Sequence, residues 1–285
     1  MGLNATDTLL EIPHFPAAEG KVEVAGRHTL PGGQVASAMQ ACASWGLCAR
    51  YVGKIGDDGA GALQQKALRR AGVEAHWAVA QGCESQRSWI LVDRSTGERT
   101  VLWKRDPRLE LHPRELKQAW IARSKILLVD GHDTAAATQA ARWARELGIP
   151  VLADIDNLYS GVEALLEVVD VLIGSREFPQ RVTGTSDLSL ALPWIANRFG
   201  CKVVGATLGR DGALAWDGES FHYTPAYKVK PVDTTGAGDI FHGAMVYSLL
   251  KNWPVPKMLD FCCAASALNC TALGARGGIR PIAEI

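Results

Sequence analysis

The sequence predicts an α/β fold with a mainly parallel sheet, because short apolar runs alternate with stretches of helical spacing. From about residue 125, the runs KILLVD (125–130) and IPVLAD (149–154) read as strands. Connections of ten to fifteen residues between such strands are typical of parallel βαβ units. Further strands are expected at 170–174 and 201–209, and helices at 134–147, 188–199, 240–250 and 256–272.

The first hundred residues contain a second group of predicted strands, at 8–12, 21–26, 87–93 and 98–103. The last two are joined by RSTG, a turn sequence that favours a hairpin. We interpret the four segments as a small sheet that projects from the α/β core and forms a candidate lid. The alternative is that they extend the main sheet. Other elements expected here are helices at 34–45 and 61–70 and a strand at 49–56.

Composition excludes several classes of protein. With 285 residues and 47% apolar content, the chain suits one large domain. Thirty basic and thirty acidic side chains cancel, which argues against nucleic-acid or membrane partners. The seven cysteines form no CxxC pair, which is typical of a reducing compartment. No secretory signal and no run of about 18 apolar residues occurs, so we expect a soluble, cytoplasmic protein.

The segment DTTGAGDIFHGAM (233–245) is the strongest candidate for chemistry. Its glycines let backbone N–H groups converge on a ligand, and the start of the following helix adds partial positive charge. Asp239, held ionised beside this anion hole, is suited to take a proton from a substrate hydroxyl. The simpler interpretation is a plain turn with a favourable acid in the first helical turn.

Two distant segments support the chemical interpretation. VVGATLGRDGALAWDG (203–218) is a strand ending in small residues against which a nucleotide could lie, and PGGQVASAMQACASWG (31–46) is a glycine turn that opens a helix. Other phosphate motifs are missing from the sequence. It contains no phosphate-loop GxxxxGK[ST], no GxGxxG after a strand and no GxSxG elbow. Phosphate-loop NTPases, Rossmann dehydrogenases and α/β hydrolases are therefore disfavoured.

Over nearly its whole length the chain resembles the ribokinase-like, or phosphofructokinase-B type, sugar kinases. DTTGAGDIFHGA resembles the C-terminal motif of that family, and GGQVASAMQACASWGLCARYVGKIGDDGAG (32–61) resembles its N-terminal motif. TLGRDG and GLNATD (2–7) fall in the expected order. The resemblance implies a ribokinase-like three-layer α/β/α core with a small β-sheet lid. It also implies phosphorylation of a substrate hydroxyl with ATP and Mg²⁺.

The resemblance also implies roles for individual residues. Asp239 is expected to be the catalytic base, with the amides of Gly236, Ala237 and Gly238 as the anion hole. The nucleotide is expected to contact Thr207, Gly209, Gly212, Thr235 and Cys263, the last standing near a position where many members have Asn. A monovalent cation such as K⁺ is expected at Asp233 and Thr235. The sugar is expected to contact Asp7, Gly33, Gln34 and Ser37, and Arg105 is a further candidate.

Three departures from the family pattern stand out, and the first is the replaced Asn near Cys263. The family often has Asn-x-x-Glu after its third Rossmann-like strand, but here the stretch is SREF, with Phe178 at the Glu position and Glu177 one residue away. The family also usually begins with an apolar strand before the Gly-x-x-x-x-Asp motif, whereas this sequence starts at Met1-Gly2. We expect a misplaced start or a truncation rather than a tolerated deletion.

The sequence therefore predicts a single kinase domain over 1–285, with the lid at about 8–30 and 86–104, that phosphorylates a ketose or pentose. The alternatives are a nucleoside kinase of the same fold, which should show an apolar slot beside Asp7, and a catalytically weak ATP- or sugar-binding relative. Trp89 and Trp103 alternate on the lid hairpin and predict one strongly apolar face. Such a face favours either a homodimer through the lid or a cover over the sugar.

Overall fold

The computed structural model describes residues 1–285, which divide into two compact units. The first unit comprises Asn4–Glu110, Lys228–Gly243 and Ala265–Ile285. The second unit comprises Met1–Leu3, Leu111–Tyr227 and Ala244–Ala264.

The first unit contains six strands and two complete helices. In chain order these are β1 (Ala5–Ile12), β2 (Gly26–Gly32), α1 (Gln34–Ser44), β3 (Arg50–Gly56), α2 (Gly59–Arg70), β4 (Glu74–Ala80), β5 (Arg87–Asp93) and β6 (Arg99–Lys104). Four strands form one sheet in the order β2-β1-β5-β6, and β3 and β4 pair in parallel as a second sheet. The four-stranded sheet is not part of the six-stranded sheet of the second unit, so the alternative that these segments extend the main sheet is wrong.

The pairing register of this small sheet corrects two expectations. The strand predicted at 21–26 lies instead at Gly26–Gly32, where it pairs with β1. Trp103 lies opposite Ser88, whereas Trp89 lies opposite Leu102. Because neighbouring residues of a strand point to opposite faces, the two tryptophans lie on opposite faces of the sheet and not on one.

The second unit contains a six-stranded sheet and its helices. In chain order these are β7 (Leu127–Asp130), α3 (Thr134–Glu146), β8 (Val151–Ile155), α4 (Val162–Leu166), β9 (Val171–Ser175), α5 (Phe178–Thr183), α6 (Leu188–Phe199), β10 (Val203–Thr207), β11 (Ala213–Trp216) and β12 (Phe221–Thr224). The sheet order is β12-β11-β10-β9-β8-β7. Strands β7 to β10 pair in parallel, and β11 and β12 add antiparallel at one edge.

Local sequence explains why these elements begin and end where they do. All residues of β7 and β8 are buried, as expected for strands covered on both faces. The side chain of Asp187 accepts a hydrogen bond from Ser189 N and caps α6, and Gly200 ends that helix in the left-handed conformation. The parallel α/β pattern predicted from residue 125 onward is therefore present.

Two long helices have residues in both units. They are α7 (Ala237–Leu250) and α8 (Val255–Asn269), each close to its expected position. None of the helices has both the length and the apolar character needed to span a bilayer.

Candidate active site

Asp239 lies in the first turn of α7, two residues after Ala237 begins the helix and directly after Gly238. The first N–H groups of a helix have no intrahelical acceptor and carry partial positive charge, so this turn suits an anion. Apart from its chain neighbours and the backbone of α7, no atom of the chain lies within 4 Å of the position that a Cβ of Gly238 would take, so a ligand has room on that side. Of the three expected anion-hole amides, that of Ala237 also donates to Thr234 O, at 3.3 Å.

The turn before α7 is held by a buried carboxylate. Asp233 is 0% exposed, and its two oxygens accept hydrogen bonds from Thr235 N and Gly274 N, each at 2.8 Å. Gly236 has a φ of 77° and lies against Ala275, whose carbonyl oxygen would overlap any Cβ added there. The 274–275 segment therefore fixes the anion-hole turn from one side, and only glycine fits at position 236.

Asp7 is the third residue of β1, with only 5% of its surface exposed. Burial raises the pKa of this carboxyl to about 6, opposed by the hydrogen bond from Ser88 and by the charge of Arg276. Asp233 raises this pKa and Arg99 lowers it by smaller amounts. Any Cβ at Gly32 would overlap the Asp7 carboxylate, so the glycine turn at 32–33 lies directly against it.

The remaining expected substrate residues lie in the same unit, at the turn that opens α1 and beside the small sheet. Gly33 is the N-cap of α1. The Oε1 atom of Gln34 is buried and has no hydrogen-bond partner, which is the state of an acceptor that is available to a ligand. Ser37 is fully buried, and its Oγ accepts a hydrogen bond from Arg276. Arg105 follows β6 and donates to Leu109 O at 3.0 Å.

Arg276 is the principal residue of this site that sequence reasoning missed. Its guanidinium donates to Ser37 Oγ at 3.1 Å, Gln40 Oε1 at 3.0 Å and Gly32 O at 2.7 Å, although the residue is only 7% exposed. Burial lowers the pKa of Arg276 to about 10, opposed first by the charge of Asp239 and then by that of Asp7. The charges of both carboxylates act on the pKa of this buried cation. Arg276, Asp7 and Asp239 therefore interact electrostatically.

The expected nucleotide residues of the second unit lie at and after the end of β10. Thr207 is the last residue of that strand, and its Oγ donates to Gly174 O at 3.4 Å. Apart from its chain neighbours, Gly209 has no atom within 4 Å of its Cβ position, whereas a Cβ at Gly212 would overlap Thr224 O. The turn therefore combines one glycine that is required for packing with one that leaves room for a ligand.

Comparison with known proteins decides the family. The pfkB family carbohydrate kinase profile matches residues 6–282. The chain belongs to the pfkB family. This match confirms the resemblance seen in the sequence and identifies an enzyme of the carbohydrate kinase class, a phosphotransferase.

Relatives and solved structures agree with this assignment. A 5-dehydro-2-deoxygluconokinase from Geobacillus kaustophilus is 26% identical, covering 89% of this chain and 83% of its own length. An ATP-dependent ribose-1-phosphate kinase from Halopiger xanaduensis is also 26% identical, over 95% of this chain and 90% of its own. A ribokinase homologue from Agrobacterium tumefaciens matches with a TM-score of 0.91 at 28% identity, covering 98% of this chain and 92% of that one. The ribokinase-like α/β fold is thereby confirmed.

Two positions at which the sequence departs from the pfkB pattern, Phe178 and Cys263, lie in the second unit. Phe178, at the position where the family often has Glu, is 1% exposed and packs against Gly174, while Glu177 is exposed. The preceding residue, Arg176, donates to Leu208 O and to the Asp211 carboxylate in the turn after β10. Sequence reasoning did not assign Arg176 a role, although it lies two residues before Phe178, the position that lacks the family's Glu.

The other substituted position, Cys263, lies in α8. It is 5% exposed, its Sγ is 4.0 Å from Thr224 O, and burial raises the pKa of its thiol to about 12. Asp154, at the end of β8, is a further acid that sequence reasoning missed. Burial, followed by the charges of Asp156 and Asp130, raises the pKa of its carboxyl well above its usual range. At both positions burial disfavours the charged form of the side chain.

Proposed function

We propose that this enzyme transfers the γ-phosphoryl group of ATP to a hydroxyl of a small sugar, a ketose or a pentose, with Asp239 as the base. The observation that carries the proposal is the position of Asp239 in the first turn of α7, directly after a glycine turn with room for a ligand. Asp7, in the same unit, supplies a second carboxylate that can accept two sugar hydroxyls at once.

Each residue has a defined part in the proposed step. The sugar binds to Asp7, Gly33, Gln34 and Ser37, with Arg105 as a further candidate contact. Asp239 takes the proton of the attacking sugar hydroxyl. The oxygen of that hydroxyl forms a bond to the γ-phosphorus of ATP, and the bond between this phosphorus and the ADP oxygen breaks. The amides of Gly236, Ala237 and Gly238 stabilise the negative charge that develops on the transferred group.

For the nucleotide, we propose contacts with Thr207, Gly209, Gly212, Thr235 and Cys263. The open side of Gly209 supports its part in this set. ATP and Mg²⁺ are expected of the pfkB family. No group of three His, Cys, Asp or Glu side chains forms a prebuilt metal site, which fits an ion held mainly by phosphate oxygens and water. When bound, Mg²⁺ would neutralise part of the negative charge of the ATP phosphates.

The test is ADP release against a panel of ketoses, aldoses and nucleosides, with Asp239→Asn as the diagnostic variant. Loss of a general base lowers kcat by about 100- to 10,000-fold. Asp260→Asn, the same chemical change at an exposed position of α8, serves as the matched control and should keep the wild-type rate. An Asp239→Asn variant as fast as the wild type would show that the base assignment is wrong.

The same panel separates the third interpretation of the chain. A catalytically weak relative would bind ATP in a calorimeter and yet release no ADP with any sugar or nucleoside. The buried Phe178 at the Glu position is the feature that favours this outcome, and the intact turn at Gly236–Asp239 favours catalysis.

A monovalent cation at Asp233 and Thr235 stays a prediction. Thr235 Oγ is buried and has no hydrogen-bond partner, which supports its use as an oxygen ligand. We propose that K⁺ raises the rate and that tetramethylammonium, which is too large for such a position, does not. Equal rates in the two salts at equal ionic strength would contradict this assignment.

A nucleoside substrate is the second candidate, and the register of the small sheet supports it. Leu30, Asp7, Ser88 and Trp103 form one row across its four strands, so Trp103 shares a face with Asp7. Trp103 is 64% exposed. Two strand spacings, about 10 Å, separate it from Asp7, which is longer than one sugar ring. The apolar cluster of Leu9, Ile90 and Val92, with Leu30 and Leu273 packed against it, lies on the same face.

Replacing each tryptophan in turn tests this candidate. If a base stacks on Trp103, Trp103→Ala raises KM for nucleosides about tenfold or more and leaves KM for free sugars almost unchanged. Trp89→Ala, on the opposite face, is the matched control and leaves both values unchanged. Equal effects of Trp103→Ala on nucleosides and free sugars would favour the sugar kinase.

We propose that the opposite face of the sheet forms a homodimer. Trp89 and Leu102 are paired there and are 38% and 55% exposed. In a dimer with two-fold symmetry, the same apolar patch of both protomers forms the interface. Each of its residues is therefore buried in both protomers. Trp89→Ala should then lower the mass measured by sedimentation equilibrium, whereas Trp103→Ala should not. An unchanged mass for Trp89→Ala would contradict the dimer. The cytoplasmic location stays a prediction that cell fractionation would check.

A further inference from the structure

We propose that Arg276 is a positioning residue that holds the substrate turn Gly32–Ser37 in place and supplies the buried positive charge that acts on the carboxylates of Asp7 and Asp239. The proposal rests on the function proposed above and adds to it a residue that the reaction scheme does not use. Arg276 follows α8 in a glycine-rich stretch, ALGARGG (272–278), and nothing in that local sequence marks it as functional.

The hydrogen bonds of Arg276 connect segments that carry the substrate residues. Nη2 donates to the carbonyl of Gly32, and Nε donates to Ser37 Oγ in α1. Nη2 also donates to Gln64 Oε1 at 3.4 Å, and the amide of Gln64 binds Ala5 O and Thr6 Oγ, directly before Asp7. One guanidinium thus fixes both the strand that carries Asp7 and the turn against which the Asp7 carboxylate lies.

The backbone around Arg276 reaches the catalytic turn. Two residues earlier, Gly274 N donates to the Asp233 carboxylate, and the neighbouring Ala275 packs on Gly236. Asn269 ties the same segments together, because its amide donates to Thr235 O and Ala275 O and its Oδ1 accepts from Gly278 N. A movement of the 274–278 loop would therefore move the anion-hole turn and the substrate turn together.

The charge of Arg276 gives it a second effect. Its hydrogen-bond acceptors Ser37, Gln40, Gly32 and Gln64 are all neutral, so the buried positive charge is balanced through space by Asp239 and Asp7. Burying a charge without such balance is costly. The groups that act on Asp7 are Ser88 and Arg99 from the small sheet, Asp233 from the catalytic turn, and Arg276. Arg276 is the buried cation among them.

The test compares the acid limb of the pH dependence of kcat/KM in four proteins. In the wild type this limb should lie near pH 6, the pKa of Asp7. Arg276→Met removes the charge, so the pKa of Asp7 rises and the limb moves upward by about one pH unit or more. Arg276→Lys keeps the charge and should move the limb by less than half as much, although kcat falls. Arg280→Met, the same change four residues along the chain, should leave the profile unchanged.

A second measurement does not depend on turnover. The ¹³C NMR titration of the Asp7 carboxyl carbon, assigned with Asp7→Asn, should show the same upward shift in Arg276→Met. If no substrate is phosphorylated, the proposed function fails while this titration still tests the role of Arg276. Should Arg276→Met not fold, Gln40→Leu, which frees one side of the guanidinium, should give a smaller shift in the same direction. A folded variant without the charge whose Asp7 titrates as in the wild type would overturn the proposal.

Discussion

Asp7 and Asp233 are two buried carboxylates of the same unit that have different surroundings. Asp233 is 0% exposed, and each of its oxygens accepts a backbone N–H, from Thr235 and Gly274. Asp7 is 5% exposed, accepts a hydrogen bond from the Ser88 hydroxyl and otherwise interacts with charges at a distance. Because each Asp233 oxygen accepts an amide hydrogen bond, this carboxylate is fixed by the fold and keeps one lone pair per oxygen, for example for the proposed K⁺, whereas Asp7 has more lone pairs left for a ligand.

Burial alone does not identify a functional acid. Both residues are buried polar groups, and both lie in or beside motifs that resemble those of sugar kinases. The difference is the number of donors directed at each carboxylate, which depends on how distant segments meet. For Asp233 the second donor comes from Gly274, 41 residues further along the chain.

The largest effect on folding should come from Asp233→Ala. Two amides that now donate to a buried anion would lose their acceptor, which costs about 3 kcal/mol of the free energy of unfolding. The turn at Gly236 would also loosen, so kcat should fall with the stability. Urea unfolding at pH 7 measures the first effect, and Asp233→Asn, which keeps one acceptor, should lose less. A stable Asp233→Ala variant would show that the two amide hydrogen bonds to Asp233 do not stabilise the fold.

Asp7→Asn should show the opposite combination, a lost function with a fold that is no weaker. The carboxyl titrates near pH 6 in the folded chain and near 3.9 when unfolded. Between those values the folded state keeps a proton that the unfolded state releases, so stability falls as pH rises and is constant above about 6. Asparagine resembles the protonated acid.

The Asn variant should therefore be more stable than the wild type at pH 7, by on the order of 2 kcal/mol, and equally stable at pH 4. Unfolding both proteins in urea across this pH range measures the difference, and calorimetry with the best sugar of the panel should show that binding is lost. A variant that is less stable at pH 7 would mean that the Asp7 carboxylate stabilises the fold, as that of Asp233 does.

Much of the fold could be predicted from sequence because its signals are local. Helix α6 runs over Leu188–Phe199 as expected, since the capping Asp187 and the terminating Gly200 lie beside it. Strand β2 was misplaced for the opposite reason. Its sequence GRHTLPG contains glycine and proline, which disfavour strands, and Pro31 is tolerated because β2 is an edge strand. Only the pairing with β1 selects these residues.

The candidate site divides in the same way. Asp239 and its glycine turn could be predicted, because the motif and the start of α7 occupy one short stretch of sequence. Arg276 could not, since its partners Ser37 and Gly32 lie more than 200 residues away. The opposite faces of Trp89 and Trp103 likewise depend on the register between β5 and β6, which the alternation of residues along one strand does not determine.

The smallest effect on folding should come from Gly32→Ala, which acts on Asp7 alone. The added Cβ would overlap the Asp7 carboxylate, and Gly32 has no positive φ that would strain another residue. A carboxylate at the end of a side chain can turn aside, so the free energy of unfolding should fall by only about 1 kcal/mol. Turning aside moves it from Ser88 and from the substrate, so KM should rise about tenfold, which corresponds to 1.4 kcal/mol of binding.

Gly59→Ala provides the control, because no atom of the chain lies within 4 Å of the Cβ that it would add. It should change neither KM nor the free energy of unfolding by a measurable amount. If Gly32→Ala instead destabilised the chain by as much as Asp233→Ala while KM stayed at the wild-type value, the carboxylate of Asp7 would be fixed by the fold. In that case its lone pairs would not be available to a sugar, and the distinction between the two buried acids would be lost.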